Sequence, residues 1–453
     1  MLFYISLWLG KIINALINMI DKKRGSNYSG QIILKICPDF LTKFKSIDHD
    51  KLLFITGTNG KSSTNNLINH ILKSNGKEVV SNLEGANLLP GIITSFVKAA
   101  SLSGKINADY FVFEVDERYL PIIHKQLPAK NILITNIQKD QVQRNGDPDY
   151  IYRKLLSVCS KDVKLFLNNN EPRSFSFSRH NDNYVTYGAA KHGEAFSKPE
   201  SFPTMPCPVC GHGITFEYYN NDGIGSFKCT HCDYGSHPNA DYEIDNIDFS
   251  GKSFTINKVS FNMPYDVPFM CYNYAAAIAA AKELAAIDIE DMAPAFHDFK
   301  NIGGRYEAVS YKAKTIKYLR MKQENPDTFQ SSINNITFDK GRKMVCLGLG
   351  PITDIVPAYT NTFYTYDCCL DELIESDVER YFCFSEAVCY DIANRLLYAG
   401  VPRELITVIE TDDVDTILSE IDKAETDNIY LITWLYTFEA MKRKIAKQGK
   451  GIN

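Results

Sequence analysis

Tryptophan is nearly absent from this chain, with two in 453 residues. A long apolar run is missing as well. The most apolar stretch, MLFYISLWLG, is ten residues long before Lys11, Asn14 and Asn18 interrupt it. That is about half of the ~20 residues a spanning helix needs. No small-residue cleavage site follows, so neither a secretory leader nor a membrane anchor is expected. Positive charge is not in excess either: the net charge is −5 at pH 7, which gives no basic field to hold a nucleic acid. Internal repeats and low-complexity tracts are lacking, which excludes solenoids and long disordered tails.

With no leader expected, the twelve cysteines are placed in a reducing cytoplasm and read as metal ligands or core rather than disulfides. Core material is ample: 45% of residues are hydrophobic, with 26 Tyr and 26 Phe. The length suggests two to four domains at ~100–200 residues each. Leu9, Ile12, Ile13, Leu16, Ile17 and Ile20 recur at helical spacing and predict an N-terminal helix packed through those positions.

The most specific local signal is Phe54-Ile55-Thr56-Gly57-Thr58-Asn59-Gly60-Lys61-Ser62-Ser63. An apolar strand runs into a glycine-bearing turn, then a lysine and hydroxyls, then a helical pattern (Leu67, Ile68, Ile71, Leu72). Backbone N–H groups at such a turn face a phosphate chain, and the helix N-terminus and Lys61 add positive charge. Ser62 is placed to reach a phosphate-bound Mg²⁺. The loop, Thr58, Asn59, Gly60, Lys61, Ser62 and Ser63, therefore predicts nucleotide triphosphate binding.

Strands are expected at 52–56, 78–80, 110–115, 131–136 and 163–168, alternating with helices. This rhythm predicts a mostly parallel α/β sheet with its ligand at the strands' carboxyl ends. A polar loop, Lys22 to Gly30, and a short helix at 39–46 precede it. From about 183 to 262 the pattern becomes β-rich, and Tyr272–Ala285 reads as an alanine-rich helix. A last α/β segment from about 305 carries strands at 344–348 and 429–433 and helices near 386–398 and 436–447.

Cys207-Pro-Val-Cys210 and Cys229-Thr-His-Cys232 are separated by eighteen residues. Two such knuckles joined by a short hairpin suit a tetrahedral, structural Zn²⁺; an iron–sulfur site and reactive thiols are the alternatives. Gly211 and Gly235 are expected to supply positive φ at the knuckles. His231 and His237 read as surface residues outside the four-sulfur shell.

The apolar strand within Phe111-Val112-Phe113-Glu114-Val115-Asp116-Glu117 ends in three acids, Glu114, Asp116 and Glu117. A carboxylate at a strand end beside a phosphate loop is where a Mg²⁺ ligand is needed. Glu114 is the first choice, with Asp116 or Glu117 on the substrate side. Thr135-Asn136, with Lys139-Asp140-Gln141 and Arg144, forms a polar turn beside the same crevice. Gly303-Gly304-Arg305 offers a hinge and an arginine for a γ-phosphate. Asn273, opening a helix, is a cap or an adenine contact.

Together these segments resemble the Mur ligase family, MurT type. The loop at 56–63, Asn82-Leu83-Glu84-Gly85-Ala86-Asn87-Leu88, Glu114-Val115-Asp116-Glu117, Thr135-Asn136 with Asp140-Gln141 and Arg144, Tyr272-Asn273 and Gly304-Arg305-Tyr306-Glu307 each look like that family's motifs, in its order. The resemblance implies an α/β fold: a Mur-ligase-like central parallel sheet with a P-loop, an inserted four-cysteine zinc ribbon and a C-terminal Rossmann-like domain. The domains expected are an N-terminal helical segment at 1–48, an ATP-binding domain at 49–303 with the ribbon at about 203–238, and a C-terminal domain at 304–453.

The chemistry implied is ATP-dependent activation of a lipid II stem-peptide carboxylate and its amidation with ammonia. A GatD-type glutamine amidotransferase would be the partner, and the work would be cytoplasmic, at the inner membrane face, with membrane contact only through the substrate. Lys61 and Arg305 would hold the β/γ-phosphates, and Ser62 and Glu114 the Mg²⁺. Asn273 and Asn168 would lie near adenine and ribose. Asp354 would complete the partner's catalytic triad, although two tryptophans of the family segment are missing around it and Asp327-Thr328 replace Ala-Gly after Asn325-Pro326. A stand-alone amino-acid ligase of the same family and a nucleotide-binding scaffold are the alternatives.

Overall fold

The computed structural model of the protein describes residues 2–20, 27–45, 47–83, 86–139, 147–197, 205–221, 223–300, 306–320, 326–350 and 362–449. They group into two compact units, one drawn from positions before 303 and the other mainly from 303 onward.

The first unit is built on a nine-stranded sheet. Its strands are β1 (Leu52–Thr56), β2 (Val79–Ser81), β3 (Tyr110–Glu114), β4 (Asn131–Ile134), β5 (Lys164–Asn168), β6 (Tyr184–Ala189), β9 (Tyr242–Asp248), β10 (Ser253–Ile256) and β11 (Val259–Asn262). Between β6 and β9 the chain forms a separate two-stranded hairpin, β7 (Ile214–Asn221) and β8 (Ile224–Cys229). The order across the large sheet is β11-β10-β9-β6-β5-β4-β1-β3-β2. Pairing is parallel from β2 through β9 and antiparallel at the β9-β10-β11 edge.

The central strands read as unbroken apolar runs because both faces are covered. Leu53 and Ile55 of β1 enter one core with Leu67, Ile68, Ile71 and Leu72 of helix α3 (Lys61–Ser74). Leu52 and Phe54 enter the opposite core with Ile92, Ile93, Phe96 and Val97 of helix α4 (Leu89–Ala99). The alanines of helix α5 (Pro268–Ala285) are small enough for it to lie close on the first face, and Ala275 through Ala281 are all buried with Ile278.

Three expectations near the N-terminus are corrected. Helix α2 spans Tyr28–Ile36, part of which reads as loop in sequence, and the helix expected at 39–46 is a single 3₁₀ turn at Phe40–Lys43. Helix α1 (Leu2–Ile20) forms as expected, but Ile12 and Leu16, read as packing positions, are exposed. The helix instead turns Ser6, Leu7, Gly10 and Asn14 inward.

The second unit carries a six-stranded sheet: β12 (Tyr306–Tyr311), β13 (Lys314–Arg320), β14 (Lys343–Gly348), β15 (Val378–Phe384), β16 (Ile406–Ile409) and β17 (Asn428–Thr433). Its order is β12-β13-β17-β14-β15-β16, parallel except for the β12-β13 hairpin. Helices α6 (Cys389–Ala399) and α7 (Leu435–Gly449) lie close to the predicted ranges. Among the described residues no helix is long and apolar enough to cross a membrane.

Candidate active site

The loop after β1 is held from behind by the strand ends beside it. The Thr58 amide donates to the Asn136 carbonyl at 2.8 Å and the Asn59 amide to the Asn136 side chain at 2.9 Å. Thr135 Oγ1 donates to the Thr56 carbonyl at 3.2 Å, so Thr135 and Asn136 together hold the loop's entry and shape. Gly60 turns the chain into α3 with φ +86°, and a Cβ there would meet Asn273 Oδ1 at 2.5 Å. Only glycine satisfies both constraints. Asn273 also accepts from the Thr64 hydroxyl at 3.2 Å, so the structure places it against the start of α3, bracing the phosphate turn.

Lys61 is almost fully buried. Its ammonium donates to the carbonyls of Gly57 and Thr58 and to Glu117 Oε2 at 3.0 Å. Three oxygens thus hold the charge inside the loop. The Ser62 hydroxyl donates to Glu114 Oε2 at 2.7 Å, and Asn87 Nδ2 donates to Glu114 Oε1 at 3.2 Å. Asp116 takes another role. Burial alone would raise its pKa, but the Arg118 guanidinium, paired with it at 2.9 Å, outweighs that and holds the carboxyl below its ordinary value.

Asn82 is the residue whose role motif reading did not reveal. It is buried, accepts from the Glu114 amide at 2.9 Å and donates to the Glu114 carbonyl at 2.8 Å and the Ala86 carbonyl at 2.9 Å. It fixes the backbone on which the Glu114 carboxylate turns. Its segment, 82–88, stood out as a motif, but nothing in sequence pointed to Glu114 as its target.

Asn168 closes β5. Its side chain is fully buried, donates to the Thr135 carbonyl at 3.2 Å and accepts from the Asn170 amide at 3.0 Å. One N–H and one lone pair of the amide are thereby engaged inside the strand-end turn. Beside it Glu171 caps the next turn, accepting from the amides of Arg173, Ser174 and Ile137. Glu84, Gly85, Asp140, Gln141, Arg144, Gly303, Gly304, Arg305 and Asp354 lie outside the described residues.

The four cysteines come together at the root of the β7-β8 hairpin. Cys207 and Cys232 sulfurs lie 3.8 Å apart and Cys210 and Cys229 sulfurs 3.5 Å apart, and all four fall within 4.8 Å of one another. The amides of His231 and Cys232 point at the Cys229 sulfur, each at 3.4 Å. Gly211 has the expected positive φ, +80°. Gly235 does not; it is needed because a Cβ would meet the Phe227 carbonyl at 2.8 Å where it bridges to Lys228. His231 and His237 are exposed, as expected.

Two family models match the chain, the Mur ligase middle domain over residues 55–202 and the MurT ligase C-terminal domain over 323–441. A MurT subunit of lipid II isoglutaminyl synthase (glutamine-hydrolyzing) from Staphylococcus aureus (strain COL) is 28% identical over 359 residues, 79% of each chain. Its Streptococcus pneumoniae (strain ATCC BAA-255 / R6) namesake is 25% identical over 430 residues, 92% of this chain and 91% of its own.

This chain belongs to the Mur ligase family, MurT type.

Solved structures agree at the level of fold. A pseudomurein peptide ligase type C from Methanothermus fervidus superposes with a TM-score of 0.66 at 20% identity, covering 92% of this chain and 84% of that one. A MurF ligase from Thermotoga maritima in complex with ADP gives 0.55 at 15% identity, covering 93% and 85%. In this MurT-type chain the matched middle domain contains the loop, Asn82, Asn87, Glu114 and Asn136 together.

Proposed function

We infer that this chain is the ATP-dependent subunit of a lipid II amidating enzyme. It would activate the D-glutamate carboxylate of the stem peptide and convert it to isoglutamine. The observation that carries this reading is the pairing, in one chain, of a Mur ligase middle domain with a MurT C-terminal domain. The long matches to named lipid II isoglutaminyl synthase subunits support the substrate.

The chemistry follows from the loop. A carboxylate oxygen attacks the γ-phosphorus of ATP, the bond to the β-phosphate oxygen breaks and ADP leaves. Ammonia then attacks the acyl carbon, phosphate departs with the carboxylate oxygen, and the nitrogen loses a proton. Lys61, now satisfied by loop carbonyls and Glu117, would exchange those oxygens for phosphate oxygens. Ser62 and Glu114, already 2.7 Å apart at a strand end, fit a Mg²⁺ site, and such an ion would neutralise charge on the transferred group. Asn82 and Asn87 keep the Glu114 carboxylate aimed. Arg305 would reach the γ-phosphate, and Thr58, Asn59, Gly60 and Ser63 would supply the loop's N–H and hydroxyl donors.

The reading extends to the parts around the site. The ATP-binding domain would occupy 49–303 and a Rossmann-like domain 304–453. The latter would dock a GatD-type glutaminase that delivers ammonia and present Asp354 to its catalytic centre. The four thiolates would hold structural Zn²⁺: zinc–sulfur bonds of about 2.3 Å give tetrahedral edges of roughly 3.8 Å, close to the spacings above. A closed four-sulfur shell leaves no place for substrate. The ion would instead support a hairpin whose own core is small: Phe175, Ile214, Phe227 and Tyr234 with the cysteines.

Positional labelling tests the reaction. Lipid II carrying oxygen-18 in the D-glutamate carboxylate, with ATP and ammonium, is expected to release phosphate bearing that label. Unlabelled phosphate would rule out an acyl phosphate on this substrate. ATP-dependent joining of a free amino acid without any glutaminase would instead favour a stand-alone ligase, the reading kept open by Asp327-Thr328.

A further inference from the structure

Helix α1 is amphipathic with its apolar side outward. Ile5, Trp8, Ile12, Leu16 and Met19 are spaced by three and four residues and so share one side of the helix. Trp8 is 49%, Ile12 58%, Leu16 56% and Met19 84% exposed. The inward side carries Ser6, Leu7, Gly10 and Asn14. Gly10 allows the close approach: a Cβ there would meet Ile33 of α2 at 2.6 Å and Val97 of α4 at 3.1 Å. The helix is thus fixed to the body by Leu7, by Phe3 against Phe40 and Phe44, and by small or polar residues between them. Ile5, Trp8, Ile12, Leu16 and Met19 still face away along a helix of 19 residues, roughly 28 Å long.

Apolar side chains of this size leave water when given an apolar phase, and a fold that buried them itself would have turned the helix over. The stripe continues into the loop after α4. The Trp8 indole donates to the Leu102 carbonyl at 2.8 Å, and Leu102 is 67% exposed. Charge selects the phase. Neither residues 2–20 nor residues 86–108 contain an acidic side chain, while they carry Lys98 and Lys105, and Lys11, whose ammonium donates to the Val97 carbonyl at 2.9 Å. An indole and a phenol, Trp8 and Tyr4, lie among the aliphatic residues, as in helices that rest at a headgroup boundary. The helix does not meet the criteria for a spanning segment, so its geometry is that of lying flat.

We propose that the outward face of α1, with Leu102, docks directly on an anionic lipid bilayer surface. This contact is the protein's own, distinct from one made through a lipid-linked substrate, and it does not depend on the proposed reaction.

The test uses the full chain in a Trp434→Phe background, which leaves Trp8 as the sole tryptophan. Vesicles of phosphatidylglycerol mixed with phosphatidylcholine are expected to shift Trp8 emission to the blue and to sediment with the chain; phosphatidylcholine alone should do so less. Ile12→Asn with Leu16→Asn, both at exposed positions, should weaken partitioning at least about tenfold with an unchanged melting temperature. The variant should keep its turnover on a soluble stem-peptide substrate. An unshifted Trp8 spectrum overturns the proposal, as does equal sedimentation of the variant. Self-association of the wild type that the variant abolishes, with no vesicle binding, also overturns it and assigns the stripe to a second copy. Failure of turnover alongside intact vesicle binding would count against the reaction and leave the docking face standing.

Discussion

Lys61 and Glu117 form an ion pair with almost no exposure, and this makes the loop lysine a structural as well as a chemical residue. Removing one member of a buried pair strands the other, at a cost of about 3 kcal/mol or more. Lys61→Ala should therefore lower the unfolding free energy by about that much and reduce ATP turnover at least about 100-fold. Adding Glu117→Gln should restore most of the stability in denaturant titrations and none of the turnover. Recovery of turnover in the double variant would show that Lys61 acts only on Glu117. Asn82→Ala leaves the buried Glu114 amide without its acceptor and should cost about 1–3 kcal/mol, with weakened Mg²⁺ dependence of turnover as the functional readout. At this scale the placement of Lys61 in the loop and of Ser62 beside Glu114 was legible because residue type and position in a strand-loop-helix pattern fix where these side chains lie. The grip of Asn82 on Glu114 was not, because it joins positions 32 apart through side-chain geometry. The bonds of Asn168 to Thr135 and Asn170 were not legible either, since they depend on how the strand ends meet.

Elements were legible where hydrophobic periodicity and length agree, as in β1, β3, β4 and α7. Periodicity failed for α1: it locates an apolar face without saying whether that face packs or is left bare. Gly235 was misread for a similar reason, since a glycine marks either positive φ or close backbone approach and only the fold decides which. The four-cysteine cluster was the clearest element, because the spacing of its two cysteine pairs brings the sulfurs together nearly independently of context. Cys207→Ser should leave less than the about one zinc per chain expected of wild type and expose β7-β8 to limited proteolysis; full zinc content and an intact hairpin would exclude a structural role for that thiolate. Beside Asn220, at the turn end of β7, lies His192. Burial pushes its pKa down to about 4, and its ring Nε2–H donates to the Asn220 carbonyl at 3.1 Å. The folded state therefore binds fewer protons here than the unfolded chain between about pH 6.5 and about pH 4. The stabilising contribution is complete above about pH 6.5 and is lost on acidification, up to about 3 kcal/mol. His192→Gln should flatten that slope in urea titrations run from pH 7 to pH 5; an unchanged slope would place the acid sensitivity elsewhere.

For the molecule as a whole, the α/β class and the parallel sheet were legible from the alternation of elements, but the strand order was not. β1 lies between β4 and β3, and β6 pairs with β9 across the inserted hairpin. Both arrangements come from non-local pairing that no window of sequence contains. The division near position 303 follows from two separate sheets, each with its own cores. The claim that joins these scales is that the loop at 56–63 spends ATP on a lipid-linked carboxylate so that ammonia can replace its hydroxyl. The most direct measurement is the mass of lipid II after incubation with this chain, a GatD-type glutaminase, glutamine, Mg²⁺ and ATP. The account predicts the shift of one hydroxyl replaced by one amine on the stem-peptide D-glutamate, absent when ATP is left out or Lys61 is replaced. ATP turnover with lipid II unchanged in mass would contradict it.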